Sequence, residues 1–114
     1  MYDESNKKDA SVQRVTCEIN RRFFAALDEL VMRGDVRTIA EFAKSAGLNR
    51  TRYWEMSREF GVRPEPGFTS RYREVDIVAL IYINMKYGVS LAYLLVGKGG
   101  MFEDKNTGVC SNSA

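Results

Sequence analysis

Apolar residues fall at three- and four-residue spacing over much of the chain, and the spacing predicts helices. Phe23, Phe24, Leu27, Leu30 and Val31 make one such face. Asn20, a good N-cap, stands in front of them, so a helix is expected from Asn20 to a stop at Gly34. Ahead of it, Ser11 to Ile19 alternates only in part and fits an arm, a short strand or a helical extension. Residues 1–10 have the composition of a disordered leader. Thr38 and Glu41 form the T-x-x-E pattern of a capping box, which starts a short helix at Ile39 with Phe42, Ala43 and Ala46 on its apolar face. Gly47 supplies the positive-φ residue that a sharp reversal needs. Asn49 caps the next helix, expected to run to about Phe60 and stop at Gly61. Val62 to Ser70 holds both prolines and breaks the pattern. From about Arg71 to Tyr87 the chain is apolar nearly all round, which predicts a central buried helix. Gly88, the cap Ser90, the run Leu91 to Val96 and Gly97 close the pattern with one more short helix.

Five helices and no convincing strand make an all-α fold the expectation. The organisation expected is a flexible N-terminal arm over 1–19, a helical domain over 20–102 and a disordered tail over 103–114. The 114 residues suit one domain, and 45% hydrophobic content suffices for one core. The longest apolar run, Ile77 to Ile83, is far short of the roughly 20 residues a spanning helix needs. The polar start has no signal-peptide character, so a cytoplasmic protein without a membrane partner is expected.

Absences narrow the chemistry. There is no histidine, which removes the usual general base and the commonest metal ligand. Cys17 and Cys110 have no metal-type spacing. Gly97-Lys98-Gly99-Gly100 ends a helix instead of opening one, so it makes a poor phosphate cradle. An enzyme is not expected, nor is a cofactor or a metal. No effector-binding region follows residue 102, so no small-molecule effector is expected either.

The net charge of +2 hides an uneven distribution. Residues 13–73 carry twelve Lys or Arg against eight acids, while both ends are slightly acidic. The middle is nearly all arginine, the side chain that pairs bidentately with phosphate and guanine. Thr38 to Arg58 then reads as two short helices about a tight turn, with arginines on the second. DNA reading needs that arrangement. The second helix, about 16 Å long, is long enough to lie in a major groove.

Together with the closing stretch Tyr87 to Gly99, YGVSLAYLLVGKG, this pattern resembles the lambda-repressor-like (Cro-type, XRE-type) helix-turn-helix DNA-binding family. The close is similar to the "G-V-S-x-x-W-L-L-x-G-x-G" ending of phage-repressor-type regulators. The resemblance covers roughly residues 20–102. It implies a compact five-helix domain in which Ala43 lets two helices cross closely, Gly47 makes the turn, and Leu48 and Met56 are buried. Tyr53 departs from it, standing where the family usually places Ile or Val. Pro64 and Pro66 also depart from the family's consensus loop.

The function implied is a sequence-specific transcriptional regulator of the repressor type, binding double-stranded DNA. Arg50 and Thr51 come first on the groove-facing side. Arg50 suits a guanine edge; Thr51 suits a base, a phosphate or a thymine methyl, or is a plain surface residue. Trp54 contacts bases or deoxyribose, or packs on the Pro64–Pro66 loop or a partner subunit. Thr38 and Asn49, at helix N-termini, suit phosphates. Arg37, Arg52 and Arg58 steer and hold the backbone, unless they form ion pairs with neighbours such as Glu55. Arg71 and Arg73 are further candidates for a flanking phosphate. With about four to six phosphates neutralised, log affinity falls with log salt at a slope of about −4 to −5. A homodimer on half-sites about 34 Å apart is expected. Its surface would come from the last two helices, with exposed Tyr93 and Met101, or from Ser11–Ile19. The alternatives are a protein–protein interaction module on the same fold, or an antitoxin-like partner of another protein.

Overall fold

The first helix starts well ahead of the asparagine expected to cap it. In a computed structural model, which describes residues 10–103, α1 runs without a break over Ala10–Arg33. The segment Ser11 to Ile19 is therefore helical, and Asn20 lies inside the helix with its side chain fully buried. The reason is tertiary. The Asn20 Nδ2 donates to the Arg73 carbonyl at 2.9 Å, and its Oδ1 accepts from the Val75 N–H at 3.1 Å. A residue type that favours caps is used here to satisfy the backbone of a distant segment. The remainder of the leader and the tail from residue 104 lie outside the described residues.

Four more helices follow: α2 Ile39–Ala46, α3 Arg50–Phe60, α4 Ile77–Tyr87 and α5 Leu91–Val96. The described residues are all-α and contain no named strand; one antiparallel bridge joins Val89 and Phe102. Local chemistry sets most of the boundaries. The Thr38 Oγ1 accepts from the Glu41 N–H, the Asn49 Oδ1 from the Arg52 N–H, and the Ser90 Oγ from the Tyr93 N–H. Each occupies a donor that a helix start leaves unpaired. Gly47 adopts φ 73° at the α2–α3 turn, where a Cβ would be strained. Gly61 is needed for a different reason: its φ is ordinary, but a Cβ there would collide with the Ser57 carbonyl.

The core forms where α1 crosses the other helices. Phe23, Phe24, Leu27 and Leu30 meet Phe42 and Ala43 of α2, Tyr53, Met56 and Phe60 of α3, Ile83 of α4 and Leu94 of α5. Phe23 is the hub of its aromatic part, with ring centroids 5.0 Å from Phe24, 5.9 Å from Phe42 and 6.0 Å from Tyr53. Such edge-to-face pairs add about 0.5–1.5 kcal/mol each beyond area burial. The Arg22 Nε donates to the Leu94 carbonyl at 3.0 Å, satisfying an end of α5 that no later turn can reach. Residues 101–103 then fold back beside 88–90, with Ser90 N–H on the Met101 carbonyl and Glu103 N–H on the Gly88 carbonyl. That return leaves Tyr93 and Met101 half-buried against the core, not exposed as expected.

Two expectations about the apolar stretch fail. The helix begins at Ile77, not near Arg71, because residues 71–76 lie outside any helix, their backbone groups committed to side chains of other elements. Their backbone groups are taken by Asn20, by the Tyr53 hydroxyl and by Arg52. Nor is α4 the central helix. Ala79, Leu80 and Ile83 are buried, but Ile77, Val78, Ile81 and Met85 are 69%, 53%, 44% and 79% exposed. The central position belongs to α1.

Candidate nucleic-acid interface

α2 and α3 pack on each other around Gly47, and the first turn of α3 follows directly. Arg50 and Thr51 open it, and both are exposed. The Arg50 side chain has no hydrogen bond or ion pair among the described residues, and the same is true of the side chains of Arg37 before α2 and Lys44 in its last turn. Thr38 and Asn49 are exposed caps whose side-chain oxygens are committed to Glu41 and Arg52. What they still offer a phosphate is the Asn49 amide and the early N–H groups of each helix.

The rest of α3 is built differently. Arg52, expected to hold the DNA backbone, turns the other way. Its Nη2 donates to the Glu74 carbonyl and lies 3.3 Å from the Asp76 Oδ1, and its guanidinium faces the Tyr72 ring at 5.4 Å. Its Nε is buried without a partner. Arg58 donates to Glu65 at 2.7 Å and lies between two rings, 4.7 Å from the Trp54 centroid and 3.9 Å from that of Phe68. Trp54 is 55% exposed, with the Arg58 guanidinium over its ring. The acids of α3 are paired too. Glu55 accepts from Arg71 at 2.7 Å and Glu59 from Arg73 at 2.6 Å. Pairing with neighbours on the same helix was the expected alternative; every one of these pairs instead reaches across to residues 65–76.

These contacts shift the carboxylates. The Arg71 hydrogen bonds hold Glu55 below the usual glutamate range. At Glu59 burial pushes the other way, but Arg73 and the Ser70 N–H together outweigh it, and the net direction is down.

Beneath the exposed turn lies Tyr53, fully buried. Its hydroxyl accepts from the Asp76 N–H at 2.8 Å and donates to the Asp76 Oδ2 at 3.1 Å. Burial pushes its ionisation far up, so it stays a neutral phenol. The Tyr53 and Arg52 contacts account for Asp76 leaving the N-cap position of α4 without a side-chain cap. Tyr53 thus joins the start of α3 to the start of α4. No protein-family model, curated protein or solved structure matches the chain.

The sequence pointed to Thr38, Asn49, Arg50, Thr51, Arg52, Trp54 and Arg58 together. The structure leaves Thr38, Asn49, Arg50, Thr51 and Trp54 exposed and turns Arg52 and Arg58 toward the 61–76 segment. Sequence reasoning missed the positioning pair Tyr53 and Asp76. No local pattern links two residues so far apart.

Proposed function

We propose that this protein is a sequence-specific DNA-binding regulator of transcription, a cytoplasmic, lambda-repressor-like helix-turn-helix protein without catalytic activity. The observation that carries the reading is Arg50: an unpaired, exposed arginine on the first turn of a capped helix, over a floor fixed by Tyr53 and Asp76. A guanidinium held there without a competing carboxylate is available to a guanine edge. Thr51 lies beside it, Thr38 and Asn49 offer donors at two helix starts, and Arg37 and Lys44 supply unpaired charge for phosphates. Arg52 is a positioning residue in this reading. Trp54 and Arg58 form a flank that meets deoxyribose if the helix lies deep in the groove.

In vitro selection from random duplex, followed by mobility shift on the selected site, tests the reading. Binding that weakens with salt, and loses about one unit of slope and at least tenfold in affinity with Arg50→Ala, is expected. Salt-insensitive binding, or no change on losing Arg50, rejects it. One observation favours the competing reading, a module that binds another protein: the apolar side chains α4 leaves in solvent.

A further inference from the structure

Trp54 is held in place by its own chain and yet left uncovered. It lies one helical turn beyond Arg50 and three residues beyond Thr51, on the same side of α3. A stack of side chains supports it. The Arg58 guanidinium is 4.7 Å from the Trp54 ring centroid and 3.9 Å from that of Phe68, and Glu65 fixes the guanidinium at 2.7 Å. Trp54 still keeps 55% of its surface in solvent, and its indole N–H has no hydrogen-bond partner among the described residues. No free carboxylate of α3 competes there, because Glu55 and Glu59 are held by Arg71 and Arg73. An aromatic side chain already ordered before binding loses little further freedom when it meets a partner.

The chemistry of that surface narrows what it meets. It is a flat apolar body carrying one N–H donor. Among the base edges of the major groove only thymine presents a methyl group, and it presents the O4 acceptor beside it. Cytosine puts an amino donor where the indole needs an acceptor, and the purines carry no methyl. One helical turn is about 5.4 Å and successive base pairs are about 3.4 Å apart, so one turn along α3 is an offset of one to two base pairs. We propose that Trp54 reads a thymine one or two base pairs from the guanine that Arg50 meets. Glu65 and Phe68, in the loop after α3, set the strength of that readout by holding Arg58 against the indole. The inference rests on the reading of α3 as a DNA-reading helix and adds a second specified base to it. A contact with deoxyribose alone would be blind to the base.

Uracil in place of thymine removes the methyl and nothing else, so mobility shift on the selected site with single uracil replacements tests the proposal. The guanine is located as the base whose replacement no longer matters in Arg50→Ala, and each thymine within two base pairs of it is replaced in turn. At one of these positions the wild type is expected to lose about fourfold in affinity, the value of one buried methyl. Trp54→Ala then binds the thymine and uracil forms alike. Phe68→Ala brings the thymine-to-uracil ratio toward one without changing the salt slope, since no phosphate contact is lost, and Phe68→Tyr, which keeps the ring, retains the ratio. Circular dichroism checks that each variant folds. Binding that depends on Arg50 but ignores the uracil replacements overturns this inference and leaves the proposed function standing; absence of Arg50-dependent binding removes both. A selected site with no thymine in that interval overturns it too. So does a loss on Trp54→Ala that is equal on the two forms, which marks a sugar contact only. A ratio that Phe68→Ala leaves unchanged overturns the part given to the loop.

Discussion

Arg50 and Arg58 lie about two turns apart on one helix, and the fold uses them in different ways. The Arg50 side chain projects into solvent with no partner among the described residues. Arg58 is held by Glu65 and lies between Trp54 and Phe68. The boundary between the two regimes is sharp: everything charged on α3 from Arg52 onward is paired to residues 65–76. A count of arginines along a helix therefore overstates the charge a ligand can meet. The tethered part is structure, and the first turn is what stays untethered.

The strongest way to break this contrast is to release the tether. Asn20→Ala leaves the Arg73 carbonyl and the Val75 N–H without their buried partner, at about 1–3 kcal/mol for each group. Urea denaturation is expected to show that loss as a lower midpoint with little change in slope. Next come two substitutions of similar size and opposite readout. Tyr53→Phe removes both bonds to Asp76 and costs about 1–3 kcal/mol of stability. Arg50→Ala costs about 1–3 kcal/mol of DNA discrimination and leaves stability within about 0.5 kcal/mol. If Arg50→Ala unfolds the chain, or Tyr53→Phe leaves its melting unchanged, the division between free and tethered residues is wrong.

A smaller effect is expected from Arg58→Ala, about 0.5–1 kcal/mol of stability from a partly exposed pair and its ring contacts. Its effect on DNA affinity should be well below that of Arg50→Ala. The smallest is a pH effect at Glu59. Its carboxylate titrates below the ordinary glutamate value in the folded chain, so it stabilises the fold fully above that value. The contribution fades as the pH falls through the lowered value. Melting of Glu59→Gln between pH 6 and pH 3 should be less acid-sensitive than that of the wild type, by less than about 1 kcal/mol because the pair is near the surface.

Sequence reading succeeded where a structure is decided by nearest neighbours. Thr38, Asn49 and Ser90 cap the helices they were expected to cap, and Gly47, Gly88 and Gly97 end theirs in the left-handed conformation. Phe23, Phe24, Leu27 and Leu30 are buried as their spacing implied. It failed where a residue's partner lies far along the chain. Asn20 has the composition of a cap and the position of a core bracket, and only residues 73–75 decide between them. The same segment, once tied to Asn20, Tyr53 and Arg52, shortens α4 at its start. The burial of α4 was misjudged because an all-apolar helix looks alike whether it is covered by its own chain or by none. The candidate site was half legible: the exposed caps and Arg50 follow from local pattern. The withdrawal of Arg52 and Arg58 depends on acids up to twenty-four residues away.

The Tyr53–Asp76 contact has a mechanical consequence. Asp76 is the residue immediately before α4, and both its N–H and its carboxylate meet a side chain rooted in the first turns of α3. The starts of the two helices are pinned at one point, so a long and irregular connection between them introduces no slack. The 61–76 connection is thus a closed loop and not a free linker, and a single phenol hydroxyl closes it at its far end.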